Sequence, residues 1–283
     1  MPRFLSDHSS TQGRLSRREC LHRAGLAGLT GLAAHALVTA EPAKSAPKRR
    51  IFAAGGGIIA GGPDFRLLRF ILSLTGKAEP VVCCLSTASG DNLERLVVWY
   101  EIMNELPCRP RHLRLFGPTG KARSFEKQLL AVDAIIVPGG NGLNMLAAWK
   151  AQGLDSILKT AWERGILLAG ESAGMNCWFE HALGDSRPER MSVIDNLGWL
   201  KGSSCPHYHA EAGRWKQHYQ QMVRDGQLKD GLACDDGVGV LFEGDRLARI
   251  VTSSETAHAY QVRRKGDQVI EEQLNAELLE KAP

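Results

Sequence analysis

The stretch GILLAGESAGMN, residues 165–176, begins as an apolar run and continues as a serine placed between glycines. The apolar run predicts a buried β-strand, and the segment AGMNCWFEHAL that follows the serine predicts a helix. A sharp turn from strand to helix would expose the hydroxyl of Ser172 above a sheet, and Gly170 and Gly174 would relieve the crowding of that turn. The pattern G-x-S-x-G therefore predicts a nucleophilic serine. The alternative is a tight turn whose serine caps the helix.

Alternating strand-like and helix-like segments surround this turn. Apolar runs that predict strands lie at residues 49–57, 80–91, 111–117, 132–141 and 165–172. Such alternation with helical segments predicts an α/β fold, in which a mostly parallel central sheet carries helices on both faces. From residue 203 onward the pattern is richer in strands, so we expect a β-rich C-terminal part that completes the same domain.

Glycine-containing loops follow four of the predicted strands, at residues 55–57, 88–91, 138–141 and 170–174. Ligands of parallel α/β sheets bind beyond the carboxyl ends of the strands. We therefore expect the functional site at these loops.

The 283-residue chain is 43% hydrophobic and 23% charged, which is ordinary for a soluble globular protein. Its formal net charge of +4 is unevenly distributed, because residues 1–50 contain nine Lys or Arg but three Asp or Glu. The remainder is nearly neutral, which argues against binding to nucleic acid or to an acidic membrane surface. We divide the chain into an export signal with linker at 1–47, a main domain at 48–265 and a C-terminal tail at 266–283.

Residues 1–47 have the pattern of a bacterial export signal. Arg17 and Arg18 precede a stretch, 24–40, without Asp, Glu, Lys or Arg, and its 17 residues are short for a bilayer span of about 20. The tripeptide VTA (38–40) is a candidate cleavage site. The segment resembles a twin-arginine signal, which implies the twin-arginine export machinery as a partner and a periplasmic or secreted location. A weakly helical or disordered tail and an uncleaved anchor are the alternatives.

The seven cysteines do not form a disulfide framework. Cys20 lies in the predicted signal, and the other six have irregular spacings without a CxxC pair. Cys83 and Cys84 are adjacent in a predicted strand and should face opposite ways. We expect buried reduced thiols, because twin-arginine export carries proteins that have already folded in the reducing cytoplasm.

A nucleophilic serine needs a base, and His207 is the strongest candidate among the five histidines that follow Ser172. It lies in CPHYH, where a proline fixes the backbone just after a strand-like stretch. If this segment stays extended, Cys205, His207 and His209 share a face and could hold a metal. Zinc sites need three or four ligands with supporting partners, and no matching cluster occurs elsewhere, so we expect neither metal nor cofactor.

The remaining parts of a serine hydrolase site also have candidates. Asp185, in the loop LGDS, is the first choice for the carboxylate that orients the histidine, and Glu180 is the second. The backbone N–H groups of Ala173 and Gly140 are candidate oxyanion donors. Plain turns are the alternative for Asp185 and for the glycine loop.

These segments, PGGN, GESAG, the acid loop and CPHYH in that order, resemble the dipeptidase E and cyanophycinase family of serine peptidases. The resemblance covers about residues 50–263 and extends to the string CWFEHALGDS. It implies a fold similar to class I glutamine amidotransferases, with a serine in place of their cysteine. It also implies Ser172 as nucleophile, His207 as base and Asp185 as acid, although some members use Glu.

The resemblance further implies a small peptide as substrate, with aspartyl dipeptides as one class. Recognition of an N-terminal Asp requires a cation, and Arg214, in HAEAGRWKQHY, resembles the family's substrate arginine; the alternative is a solvated helix arginine. Asn141 is a second candidate for substrate binding. Asp235 and Asp236, in ACDDG, could bind a substrate amine or cap a turn. An exported member could also act on cell-wall peptides or on an aspartyl polymer, and a homodimer is left open.

Two other functions remain compatible with the residues. One is an esterase of the α/β-hydrolase type, in which Ser172 would act with Asp235 or Asp236 and with His258, although an HGGG-like segment is lacking. The other is a binding protein that keeps the fold and has lost turnover.

Overall fold

A computed structural model describes residues 48–59, 65–117 and 124–281. The predicted export signal and linker, residues 1–47, therefore lie outside the described residues. None of the described helices is both long enough and apolar enough to cross a lipid bilayer.

The first half of the described chain alternates strands and helices as predicted. In chain order these elements are β1 (Arg50–Ala54), α1 (Arg66–Leu74), β2 (Val81–Leu85), a 3₁₀ turn (Thr87–Ser89), α2 (Leu93–Asn104), β3 (Arg109–Leu113), α3 (Phe125–Leu129), β4 (Ala134–Val137), α4 (Gly142–Gln152), α5 (Leu154–Glu163), β5 (Leu167–Glu171) and α6 (Ala173–Asn176).

The second half is dominated by strands. It consists of β6 (Phe179–Arg187), β7 (Arg190–Asp195), β8 (Leu200–Cys205), α7 (Ala210–Arg224), β9 (Gly231–Cys234), β10 (Val238–Glu243), β11 (Arg246–Thr252), β12 (Ala259–Lys265), β13 (Gln268–Leu274) and β14 (Glu277–Leu278).

Two sheets organise these strands. The central sheet has eight, in the order β14-β11-β10-β1-β5-β4-β2-β3, and its five strands from β1 to β3 pair in parallel. The second sheet has six, in the order β13-β12-β9-β8-β6-β7. The predicted α/β class, with a mostly parallel central sheet and a β-rich C-terminal part, is confirmed.

The central sheet is buried on both faces, and the alternation of side chains along each strand decides which face a residue joins. Ile51 and Cys83 belong to the cluster that contains Trp149 of α4, whereas Phe52 and Cys84 belong to the cluster that contains Trp99 of α2. Burial on both faces explains why the inner parallel strands β2, β4 and β5 are apolar runs, whereas the edge strand β3, RPRHL, is largely exposed and polar. It also confirms the expectation that adjacent Cys83 and Cys84 face opposite ways.

The cysteines of the described chain are free thiols, and all but the partly exposed Cys108 are buried. Burial raises the pKa of Cys83 to about 12. This agrees with the expectation of buried reduced thiols for this part of the chain.

The predicted helix after Ser172 is wrong in length. Helix α6 ends at Asn176, and Phe179–Arg187 forms β6, which pairs in parallel with β8 and antiparallel with β7. The Asn176 amide donates to the Leu183 carbonyl at 3.0 Å and fixes this change of direction. Hydrogen-bonding partners on both sides outweigh the local helical pattern, a tertiary effect that propensity cannot show.

The boundary predicted at residue 265 is also wrong. Strand β13 pairs with β12, and β14 pairs in parallel with β11, so residues 268–278 add strands to both sheets. Strand β13 is mostly exposed, with Val269, Glu271 and Leu274 half-buried, as is typical of an edge strand, whereas a C-terminal tail was predicted for this segment.

Candidate active site

Ser172 occupies the turn between β5 and α6, at the carboxyl edge of the central sheet. Its backbone angles are φ 56° and ψ −118°, a strained conformation for a residue with a side chain. A Cβ at Gly170 would overlap the backbone of Gly174, and one at Gly174 would overlap the Val137 carbonyl. Both positions of the G-x-S-x-G pattern therefore need glycine because backbones touch there.

His207 and Asp236 form a hydrogen-bonded pair that lines the same cavity as this serine. The Nδ1 atom of His207 lies 2.5 Å from Oδ1 of Asp236, and both residues line a cavity of about 540 Å³ with Ser172. When Nδ1 donates to the carboxylate, Nε2 is left free to accept a proton. The geometry thus brings together a hydroxyl, an imidazole and a carboxylate in one cavity.

Opposing effects act on the pKa of His207. Burial is the largest and lowers it, but the hydrogen bond and charge of Asp236, helped by the charges of Glu171 and Asp185, raise the pKa above its ordinary value of 6.5. Asp236 thereby stabilises the protonated imidazolium.

The carboxylate that holds His207 is Asp236, whereas Asp185 was predicted. Asp185 is exposed on β6 and, among the described residues, makes no hydrogen bond to His207. It lines an adjoining cavity of about 490 Å³, which Ser172 and His207 also border. Because the segment after α6 continues as strand β6, Asp185 stays exposed beside this cavity, and the Nδ1 atom of His207 is bonded by Asp236 instead.

Glu180, the second candidate for the orienting carboxylate, is bonded to residues of β8 and to Lys229. Its carboxylate accepts hydrogen bonds from the Gly202 N–H at 2.9 Å, from Lys229 at 3.0 Å and from Lys201 at 3.3 Å. These partners, with the Gly202 N–H foremost, lower the pKa of Glu180 to about 2. Glu180 ties β6 to β8 and is not engaged with His207.

A signal for Asp236 was present in the sequence. His207 follows β8 and Asp236 follows β9, and these two strands are parallel neighbours. Because the carboxyl ends of parallel neighbours meet at one edge, an acid just after the apolar run GLAC belongs beside a histidine just after SSC.

The glycine loop after β1 presses against the acid–base pair. Gly56 forms an isolated bridge with Asp236, and the Gly237 N–H donates to the Gly56 carbonyl at 2.9 Å. A Cβ at Gly56 would overlap Oδ1 of Asp236 and lie 3.2 Å from Cε1 of His207. Glycine at this position lets the backbone pack directly on the pair.

The PGGN loop after β4 packs against Ser172. A Cβ at Gly139 would be 2.9 Å from the Ser172 Cβ. Gly140, at φ 144°, lines the cavity of about 540 Å³ that also contains Ser172, His207 and Asp236, which we call the main cavity. The Ala173 N–H belongs to the first turn of α6, where N–H groups lack intrahelical acceptors. Gly140 and Ala173 are therefore near Ser172, and their role as oxyanion donors stays a prediction.

Asn141 caps α4 and borders the adjoining cavity. Its Oδ1 accepts from the Asn144 N–H at 2.9 Å, and its Nδ2 donates to the Ser186 carbonyl at 2.9 Å. Both ends of the amide are used in local structure, and substrate binding by Asn141 remains untested.

Arg214 does not line the cavities bordered by Ser172 in the described chain. Its Nη1 lies 3.0 Å from Oε2 of Glu211, one turn earlier in a half-exposed pair. The residues Glu211–Gly213 take left-handed angles, so the regular part of α7 begins only after them. Arg95 on α2 lines the main cavity instead, and its Nη1 donates to the Gly139 carbonyl at 3.1 Å.

Glu171, next to the nucleophile, is a buried carboxyl that sequence reasoning did not single out. It accepts hydrogen bonds from the N–H groups of Ile58 at 2.6 Å and Ile59 at 3.4 Å. Burial is the main reason that its pKa is raised, opposed by those two bonds. Glu171 thus connects the end of β5 to the glycine loop after β1.

Cys205, His207 and His209, the residues considered for a metal site, each bond a different partner. Cys205 is buried with its Sγ directed to the Pro206 carbonyl, and His209 bonds Asp235 through Nδ1 at 2.9 Å. Within the described residues no group of three His, Cys, Asp or Glu is arranged to hold a metal ion.

His258, the base of the esterase alternative, is likewise engaged away from Ser172. Its ring Nδ1 lies 3.2 Å from Nε2 of Gln273, and its backbone N–H donates to Asp235. It is absent from the described lining of the cavity that contains Ser172.

Comparison with known proteins identifies the family of the chain. The sequence profile of Peptidase family S51 matches residues 51–250. The uncharacterized peptidase YgaJ of Bacillus subtilis (strain 168) is 39% identical over 215 residues, which are 76% of this chain and 92% of YgaJ.

Two solved structures share the fold. A peptidase from an acI-B1 Actinobacterium superposes with a TM-score of 0.62 at 16% identity, covering 83% of this chain and 97% of that one. A candidate peptidase E protein from Listeria monocytogenes EGD-e superposes with a TM-score of 0.53 at 17% identity, covering 73% of this chain and 100% of that one. At such identities the likeness concerns the fold alone.

Proposed function

The chain belongs to peptidase family S51, and from that membership we propose that it hydrolyses small peptides, aspartyl dipeptides among them, through an acyl-enzyme on Ser172. That it is a serine-type peptidase follows from the family. The substrate class and the division of roles among the site residues are the proposal.

One observation carries the proposal. His207, with its Nδ1 2.5 Å from Asp236, lines the same cavity as Ser172, whose strained backbone holds the hydroxyl at the end of β5. A serine, a histidine and an orienting carboxylate are the three groups that acyl transfer by a serine requires.

In the proposed mechanism the Oγ atom of Ser172 attacks the scissile carbonyl while Nε2 of His207 takes its proton. The imidazolium, stabilised by Asp236, then protonates the leaving amine as the C–N bond breaks, which leaves an ester on Ser172. A water activated by His207 hydrolyses the ester and releases the acid. The N–H groups at Ala173 and Gly140 support the negative oxygen of each tetrahedral intermediate.

Labelling with a fluorophosphonate tests the nucleophile. We expect one adduct, mapped by mass spectrometry to Ser172, and no adduct in Ser172→Ala. His207→Ala should react far more slowly, whereas His258→Ala should react like the wild type. Full labelling of His207→Ala with loss in His258→Ala would overturn the proposal in favour of the esterase arrangement.

A substrate screen tests the proposed class. The panel contains Asp-X dipeptides, their Asn-X counterparts, β-aspartyl peptides, cyanophycin and a simple ester, each assayed with wild type and Ser172→Ala. Cleavage of Asp-X dipeptides that depends on Ser172 is the expected result. Cleavage of cyanophycin alone would replace the dipeptide class with an aspartyl polymer, and cleavage of the ester alone would contradict both.

We also propose that the protein is exported through the twin-arginine pathway. The proposal is supported by Arg17 and Arg18 ahead of the 24–40 stretch and by the free thiols of the described chain, which suit a protein that folds before export.

A further inference from the structure

Arg95 lines the same cavity as Ser172 and has no role in the proposed mechanism. It lies in the first turn of α2, where its own N–H donates to the capping Oδ1 of Asn92 at 2.9 Å. Its Nη1 donates to the Gly139 carbonyl at 3.1 Å, and Gly139 is the residue that packs against Ser172. The helix cap thus fixes the backbone of Arg95, and the Gly139 carbonyl holds its guanidinium at the cavity wall.

Arg95 supplies the permanent positive charge in the lining of this site. Of the described residues that line the three cavities bordered by Ser172, Arg95 is the only Lys or Arg. The adjoining cavity of about 490 Å³ is lined by the acids Asp185, Glu211 and Asp236 and, apart from His207, by no described basic residue. A substrate carboxylate is therefore repelled on that side and attracted toward Arg95.

Among the described residues, the acids near this guanidinium, Glu171, Asp236 and the adjacent Glu94, form no ion pair with it. Glu171 lines the same cavity, but its Oε2 is used by the N–H groups of Ile58 and Ile59. Asp236 is held by His207. Within the described chain Arg95 makes no ion pair, in contrast to Arg214, which is paired with Glu211.

The donors of Arg95 suit a carboxylate. A guanidinium carries five N–H donors in a planar fork, and a single hydrogen bond to Gly139 uses one of them. The others can meet the two oxygens of a carboxylate in a charge-assisted, bidentate contact.

We propose that Arg95 is the specificity-determining residue that binds a carboxylate of the substrate. This inference rests on the proposed function, because it assigns the group that the peptidase site recognises. The carboxylate belongs either to the side chain of an aspartyl residue or to the C-terminus of a short peptide. Both sources share the chemistry, and the substrates of the test separate them.

The experiment compares wild type, Arg95→Gln, Arg214→Gln and Arg164→Gln on three substrates, Asp-Leu, Asn-Leu and Asp-Leu-amide. Arg164 is exposed at the end of α5 and serves as the matched control. We expect Arg95→Gln to lower kcat/KM for Asp-Leu by about 10- to 100-fold, the range for a lost hydrogen bond to a charged group. Its effect should vanish on the substrate that lacks the recognised carboxylate, Asn-Leu for the side chain or Asp-Leu-amide for the C-terminus.

Three results would overturn the inference. They are an unchanged kcat/KM for Asp-Leu in Arg95→Gln, an equal loss on all three substrates, and a carboxylate-dependent loss in Arg214→Gln alone. Fluorophosphonate labelling of Ser172 in each variant separates a folding defect from lost recognition, because a folded Arg95→Gln should still react. If the wild type cleaves no peptide and is not labelled, the proposed function fails first, which is a different outcome.

Discussion

Asp236 and Asp185 both border the space around His207, yet they differ in what they can do for it. Only Asp236 reaches Nδ1, at 2.5 Å, while Asp185 acts on the histidine through charge alone. A hydrogen bond at Nδ1 sets the tautomer as well as the pKa, whereas a distant charge affects only the pKa.

The first prediction follows from this difference. Asp236→Asn should lower kcat/KM by about 10³- to 10⁴-fold, because an amide can hold the wrong tautomer and cannot stabilise the imidazolium. Asp185→Asn should change kcat/KM by less than about fivefold, since exposed charges contribute little. Steady-state kinetics of both variants decides, and a larger loss in Asp185→Asn would return the orienting role to Asp185.

A second prediction concerns pH. His207 must be neutral to accept the serine proton, so kcat/KM should rise with pH through the pKa of this histidine. Because that pKa is raised, the midpoint of the acid limb should lie above 6.5. In Asp236→Asn the midpoint should move downward, since burial still lowers the pKa and the opposing bond and charge are gone. A pH profile whose midpoint does not move would show that another group controls the limb.

Among the elements, the loop after β1 depends on a residue of β5. Glu171 receives the N–H groups of Ile58 and Ile59, and the same loop presents Gly56 to His207 and Asp236. Glu171 therefore acts on the catalytic pair through the backbone and is a positioning residue.

The third prediction tests this connection. Glu171→Ala leaves two backbone donors without their acceptor, so the free energy of unfolding should fall by about 1–3 kcal/mol and kcat should fall with it. Glu171→Gln keeps a carbonyl oxygen for the same bonds and should retain most of both. Urea unfolding and kinetics of the two variants provide the measurement. Equal behaviour of Ala and Gln would contradict the role of the acceptor.

Strand β13 supports the catalytic histidine from the second sheet. The Glu271 carboxylate accepts from the Tyr208 hydroxyl at 2.5 Å, from Lys216 at 2.8 Å and from Gln220 at 2.8 Å. Since Tyr208 follows His207 directly, the edge strand fixes the segment that carries the base.

The fourth prediction is that removal of residues 266–283 lowers Tm and abolishes peptidase activity, because β13, β14 and the Glu271 contacts are lost. Removal of residues 280–283 alone, which leaves both strands in place, serves as the control and should behave like the full chain. Calorimetry and a dipeptide assay compare the two truncations. An active protein without residues 266–283 would show that these strands are dispensable.

For the whole molecule, the distribution of charge separates residues 1–50 from a nearly neutral remainder. The fifth prediction concerns this segment: replacing Arg17 and Arg18 together with Lys should block export and keep the protein in the cytoplasm. Arg23→Lys is the matched control and should be exported. Cell fractionation with immunoblotting measures the outcome, and unchanged export of the double variant would contradict the twin-arginine route.

The amino-acid sequence by itself determined the parallel half of the fold and the turn that carries Ser172. Apolar runs buried on both faces, glycines where backbones touch, and the short G-x-S-x-G turn at Ser172 are local features, so their pattern was sufficient. His207 could also be found, because it directly follows a strand end and a proline.

Only the tertiary structure decided which acid serves His207, which arginine lines the cavity, and where the second sheet begins and ends. Asp236 reaches His207 because β8 and β9 lie side by side, and Arg95 reaches the cavity because α2 brings it to the loop after β4, where it donates to the Gly139 carbonyl. These residues are distant in sequence, and their proximity depends on strand order and pairing. Local pattern contains no information on either, which is why it favoured Asp185 and a long helix after the serine, while Arg214 was expected from the family resemblance.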